Sequence, residues 1–223
     1  SDHGDMQGEH GMWYKRTYRE WAMRVPLVAR MPGARSGRRI SSPVSLVDLF
    51  PTFTDLGGAE TEWPGAEMLD GKSLVPFLTG ESDQWDRPVY GEYCGEGTIQ
   101  PMRLVRSDKW KYVSVNEEEP LLFDLKTDPN ETENLAGRDE HAAIEQSLSE
   151  TAGDGWDAEE MRRRVIADQQ QRMMLDDALS RDTPVEWDYQ PLEDARSIYV
   201  RRGRSTQQTK RLFRWPFVET EEP

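Results

Sequence analysis

Four short apolar runs of strand type sit close together in the middle of this 223-residue chain. They are Pro88 to Tyr93, Met102 to Arg106, Trp110 to Val115 and Leu121 to Leu125. Turn signals separate them. Ser107-Asp108 lies between the second and third, and Asn116 to Pro120 between the third and fourth. Strands at these spacings suit an antiparallel meander.

The flanking segments read differently. Residues 1–15 read as a loop, from their glycines and polarity. Tyr18 to Trp21 is a short helical turn. Arg24-Val25-Pro26-Leu27-Val28-Ala29-Arg30 reads as a strand with proline near its start or at an edge. Val44, Leu46, Val47, Leu49, Phe50 and Phe53 recur near helical spacing, and Gly57-Gly58 closes that helix. Residues 59–72 form a polar linker, Ser73 to Gly80 a short helix, and His141 to Leu148 and Asp157 to Leu179 two further helices. The last carries Arg162-Arg163-Arg164, which is either an anion-binding face or simply a solvated one. The chain divides into residues 1–58, 59–150 and 151–223.

Candidate chemistry is concentrated at the start, in Ser1-Asp2-His3-Gly4-Asp5-Met6-Gln7-Gly8-Glu9-His10-Gly11-Met12-Trp13-Tyr14-Lys15. Asp2 and His3 are adjacent metal-ligand types, and Gly4 frees the backbone to turn sharply beside them. A hard cation wants carboxylate oxygens, and a neutral imidazole adds a further ligand. The ammonium of Lys15 could meet the anion that such a cation attracts. An isolated Asp-His-Gly is also an ordinary turn. No lead-in strand precedes the segment, so the rest of such a site is expected elsewhere.

The run as a whole resembles the second metal-binding signature of the type I sulfatases, in the alkaline-phosphatase superfamily. Trp13-Tyr14-Lys15 points toward the choline sulfatases within them. The resemblance implies that Asp2 and His3 bind a divalent cation, Ca²⁺, Mg²⁺ or Mn²⁺, and that Lys15 is a catalytic residue binding the sulfate ester. It extends to Asp70-Gly71-Lys72-Ser73-Leu74, to the segment from Leu122-Phe123-Asp124-Leu125 through Asp128-Pro129 and Glu131 to Asn134-Leu135, and to the block from Trp187-Asp188 to Ala195. The implied fold class is α/β. It comprises the final elements of an alkaline-phosphatase-like α/β/α sulfatase core, then a C-terminal subdomain with a small antiparallel sheet and helices. The implied reaction is hydrolysis of a sulfate ester, choline sulfate first, by a formylglycine nucleophile. That group is expected in an N-terminal part outside this chain, so the chain alone is expected to be inactive. His10 stands where Arg or Lys is common in the family and receives no role.

Formylglycine arises from Cys or Ser in a Cys/Ser-x-Pro-x-Arg context. The single cysteine, Cys94, is followed by Gly95-Glu96-Gly97-Thr98 and reads as structural or incidental. One cysteine excludes an internal disulfide and fits a reducing, cytoplasmic compartment. A charge of −14, from 42 acidic and 28 basic residues, disfavours nucleic acid and anionic membranes as partners. No run of about 18 apolar residues suggests a membrane span. Of the basic residues, 22 are Arg and 6 Lys. That balance fits either a salt-adapted acidic protein or plain codon bias.

Glu92 and Tyr93 end the first strand of the meander. A carboxylate beside an aromatic ring could bind a quaternary ammonium, the ring adding about 0.5–2 kcal/mol. A surface carboxylate at a strand end is the alternative. The resemblance to choline sulfatases favours Glu92 as a substrate-binding residue, with Glu96 open as a substitute. The segment from Thr183 to Pro223, with Trp187, Tyr189, Tyr199, Trp215 and Phe217 among arginines, reads as an arm joining a homo-oligomer. Two rival functions remain. One is a phosphonate or phosphodiester hydrolase of the same superfamily. The other is a truncated, non-catalytic assembly module.

Overall fold

The computed structural model describes residues 1–34, 37–58, 66–95, 98 and 100–179. The expected meander is its centre. Strands β3 (Val89–Tyr93), β4 (Met102–Ser107), β5 (Trp110–Val115) and β6 (Leu121–Asp124) form one antiparallel sheet in that order. Its register pairs Gly91 with Leu104, Glu92 with Arg103, Leu104 with Val113, and Tyr112 with Leu122.

Successive strand residues face opposite sides of a sheet, and here both sides are occupied. One side packs Val105, Tyr112 and Leu122 against Leu148 and Ala152 of helix α4 (Ala142–Gly153), with Trp110 and Ile144 around them. The other side presents Gly91, Leu104, Lys111, Val113 and Phe123. Against it lies the four-residue helix α1 (Glu20–Met23). Met23 Cε lies 2.9 Å from where a Cβ at Gly91 would stand, so α1 packs its methionine directly over this glycine. The guanidinium of Arg19 lies 5.3 Å from the ring centre of Phe123.

Two expectations need correction. The loop at residues 1–15 contains a small antiparallel ladder. It joins β1 (Met6–Gln7) to β2 (Trp13–Tyr14), with a 3₁₀ turn at Glu9–Gly11 between them. Gly8, at φ 119°, allows the reversal, and buried Met6 anchors it. The strand expected over Arg24 to Arg30 does not form among the described residues. A strand needs a neighbour, and neither sheet supplies one there. Leu27 and Val28 are exposed.

The other helices fall near their expected places. A 3₁₀ turn at Leu46–Asp48 leads into α2 (Leu49–Leu56). Fully buried Asp48 fixes this start. Its carboxylate accepts the N–H groups of Ser45 and Lys72 and pairs with Arg87 at 2.7 Å. Helix α3 (Val75–Thr79) ends at Gly80, and α5 spans Ala158–Leu179. Arg162 and Arg163 pair with Glu159 and Glu160 three residues earlier, as on a solvated helix face. Ser1–Val165 forms one compact unit and a second begins at Ile166. Part of the 59–72 linker and the arm at 183–223 lie outside the described residues.

Helix α2 leaves Phe50, Phe53 and Leu56 exposed, and Leu46 and Val47 before it. An apolar face of this kind drives association. The double variant Phe50→Ser/Phe53→Ser should reduce self-association of the isolated chain in sedimentation. Its unfolding free energy should move by no more than about 0.5 kcal/mol per site, because neither ring is buried.

Candidate functional site

The ladder between β1 and β2 returns the chain to its start. Met6 opposes Tyr14, so the following residue, Lys15, arrives beside His3. Lys15 Nζ lies 2.9 Å from His3 Nε2, and Asp2 Oδ2 lies 3.5 Å from the same nitrogen. The other ring nitrogen, Nδ1, is 2.7 Å from the Gly4 carbonyl. A carbonyl only accepts, so the proton is assigned to Nδ1 and Nε2 carries the lone pair. The structure thus brings Asp2, His3 and Lys15 together.

Local backbone holds this trio. The Gly4 N–H donates to the Ala22 carbonyl at 2.8 Å. A Cβ added at Gly4 would fall 2.0 Å from the Trp21 carbonyl oxygen, so no other residue fits against α1. Tyr14, just before Lys15, has φ 68°, a left-handed conformation uncommon for a bulky residue. The Asp2 carboxyl is held below the usual carboxylate range. Its own backbone N–H contributes most, then the nearby His3 and Lys15 charges, with desolvation opposing.

The donor set fits part of a divalent-cation site. An imidazole fixed by a hydrogen bond from Nδ1 to a backbone carbonyl is the usual arrangement of a metal-binding histidine, and here the second nitrogen faces Lys15 Nζ. Asp2 adds a hard oxygen. No group of three or more His, Cys, Asp or Glu suited to a metal occurs among the described residues. Asp2 and His3 offer two donors of the kind such a site uses.

Glu92 does not join this cluster. Its neighbour Gly91 faces α1, so the alternation of β3 directs Glu92 to the α4 side. There it sits 3.9 Å from Arg103 Nε. Arg103 in turn donates to the carbonyls of Ala152 and Asp154, at the end of α4, and covers the ring of Tyr90. Glu96 lies outside the described residues. Burial, then the nearby Glu92 charge, pushes the Cys94 thiol up, which fits the structural reading of that residue.

Several important residues escaped the sequence reading. Lys111 and Glu131 are both fully buried and pair at 2.8 Å. His10, given no role, has Nε2 2.7 Å from the Asn130 carbonyl. The signal for Lys111 was its place two residues before Val113, on an inward face.

Residues 8–154 match the family model described as N-sulphoglucosamine sulphohydrolase, C-terminal. Residues 163–215 match the model described as choline sulfatase enzyme C terminal. The chain belongs to the sulfatase family. This sulfatase chain is 35% identical over 219 residues, 97% of its length, to a choline-sulfatase of Rhizobium meliloti, of which it covers 42%. A solved structure in complex with its substrate D-glucosamine-2-N,6-O-disulfate matches with a TM-score of 0.61 and 30% identity, over 70% of this chain and 32% of that one. The phosphonate monoester hydrolase of Agrobacterium radiobacter matches with a TM-score of 0.57 and 31% identity, over 68% and 32%. The chain thus spans about two-fifths of that choline-sulfatase and about a third of each solved structure. These neighbours place it in an α/β fold of the alkaline-phosphatase type, as its C-terminal portion.

The Glu92 geometry makes a stability prediction. Glu92→Gln should cost less than about 0.5 kcal/mol, because the pair is long and partly exposed. Arg103→Met should cost about 1–3 kcal/mol, because it strips charged donors from two carbonyls. Urea unfolding of both variants checks the order.

Proposed function

We propose that the intact protein carrying this chain hydrolyses sulfate esters, with choline sulfate the first substrate to test. The observation that carries this is the convergence of Asp2, His3 and Lys15 in a sulfatase chain. The choline preference is supported by the Rhizobium meliloti relative and by the model match at residues 163–215. Asp2 and His3 would hold a divalent cation of the Ca²⁺, Mg²⁺ or Mn²⁺ type, together with ligands from the rest of the protein. When bound, such a cation supplies positive charge that polarises the ester and favours an ionised nucleophile. The nucleophile, a formylglycine, belongs to that remaining part.

Lys15 has the chain's direct role in the reaction. Its ammonium is a compact point charge with three donors, suited to a sulfate oxygen on which negative charge is held. It stands beside His3, so it reaches an anion drawn to the cation site. The Gly4 carbonyl holds the His3 ring with Nε2 turned toward Asp2 and Lys15. The strained Tyr14 backbone fixes the direction in which Lys15 leaves the ladder.

One observation favours a second reading. The phosphonate monoester hydrolase neighbour has similar identity and a TM-score of 0.57. That fold likeness would equally suit a phosphonate or phosphodiester substrate. Comparing kcat/KM on choline sulfate, a neutral aryl sulfate and an aryl phosphonate monoester decides between them. The highest value on the phosphonate would overturn the sulfatase reading.

In the intact protein, Lys15→Ala should lower kcat/KM on a sulfate ester by about 10²–10³-fold, the scale of removing one preorganised anion-stabilising donor. Its thermal midpoint should hardly change, because Lys15 is exposed. Steady-state kinetics and a melt test this together, and full activity would remove Lys15 from the site. Asp2→Ala should lower the bound divalent metal measured by elemental analysis of the purified protein. Equal metal in both proteins would remove Asp2 from the ligand set.

A further inference from the structure

A fully buried ammonium group lies outside the Asp2-His3-Lys15 cluster. Lys111 of β5 has no access to solvent. Its Nζ is 2.9 Å from Glu20 Oε1 and 2.8 Å from Glu131 Oε1. The second oxygen of Glu131 accepts the Glu20 N–H at 2.8 Å, at the first residue of α1. Arg19 donates to the Glu131 carbonyl from the residue before. Glu131 therefore grips the start of α1 through both its side chain and its backbone.

Glu131 sits at φ 56° in a turn that its neighbours over-determine. Asp128 accepts from the Thr132 hydroxyl at 3.0 Å and the Glu133 N–H at 2.9 Å. One residue before Glu131, the Asn130 carbonyl accepts from His10 Nε2. The same turn thus holds the residue 1–15 segment at His10 and the helix behind it at Glu20. From α1 the path to the cluster is two bonds long. The Ala22 carbonyl receives the Gly4 N–H, and the Gly4 carbonyl receives His3 Nδ1–H.

A buried ion pair is a poor means of gaining stability, since desolvation consumes most of the attraction and apolar replacements are often as stable. It is a good means of fixing position here, because Lys111 donates to Glu20 and the Glu131 carboxylate accepts the Glu20 N–H, and charge-assisted hydrogen bonds of this kind are short and directional. A four-residue helix cannot hold its own place. We propose that the Lys111–Glu131 ion pair is a positioning device, which locks α1 and through Gly4 fixes where His3 and Lys15 stand. Neither Lys111 nor Glu131 is a catalytic residue. The consequence for turnover rests on the sulfatase reading above, whereas the consequence for Gly4 does not.

The test uses the intact protein and two variants, Glu131→Gln and the apolar pair Lys111→Met/Glu131→Leu, with Leu148→Ala as a control that opens the core under α4. Backbone amide exchange is followed by peptide mass spectrometry, beside kcat and KM on a sulfate ester. The proposal expects the peptide containing Gly4 to exchange about tenfold faster or more in both variants, while β4 and β5 peptides hold. It expects kcat to fall about tenfold or more with KM changing far less, since small misplacement of reacting groups is costly. Leu148→Ala should show neither effect beyond a uniform rise in exchange. Unchanged Gly4 exchange in a folded variant, a rise shared equally by β4 and β5, or faster Gly4 exchange with unaltered kcat would each overturn the proposal. If the double variant does not fold, Glu131→Gln, which keeps size and one acceptor, carries the same readouts. A parent protein without sulfatase activity would sink the functional reading instead, and the exchange result would still decide whether the pair positions Gly4.

Discussion

A single ammonium group with no access to water ties α1 and the turn after β6 to the central sheet. Lys111 projects from the middle of the sheet and meets carboxylates from α1 and from the turn after β6. An unpaired charge in that place would cost several kcal/mol, so the three groups have to arrive together. That requirement fixes how the start of the chain lies on the sheet. It also explains why the sheet has no free face. α4 covers one side with apolar contacts, while α1 covers the other with a mixture of packing and charge.

The Asp2-His3-Lys15 cluster inherits its geometry from this docking. None of the three residues is buried. Side chains with this much access to water would ordinarily sample many rotamers, at an entropic cost to any one arrangement. Here the backbone beneath them is constrained at Gly4, at the β1–β2 ladder and at His10. The exposed apolar surface of α2 and of Leu27 and Val28 shows the opposite case. Those residues have the composition of a packed interior, yet they stay largely exposed.

The meander was legible because it is encoded locally. β5 runs over Trp110–Val115 as expected, and the other three strands agree within a residue at their ends. Alternation, turn residues and short loops specify such a sheet with little help from distant contacts. The helices at 49–56, 75–79, 142–153 and 158–179 were legible for the same reason. The segment from Arg24 to Arg30 was not, because a strand is defined by its neighbour and none lies beside it among the described residues. Residues 6–14 were misread in the other direction. Two-residue strands carry too little periodicity to rise above a glycine-rich background.

The sequence alone determined the family, the antiparallel meander and the residue types of the cluster, since each is written in contiguous residues. Only the tertiary structure decided which side of the sheet each charged group occupies. That sent Glu92 toward α4 and Arg103, although its sequence context suited a cation pocket. It also brought Glu20, Lys111 and Glu131 together across 91 and 111 residues. The burial of a charge depends on partners distant in sequence, and no local pattern of residues records where those partners will meet.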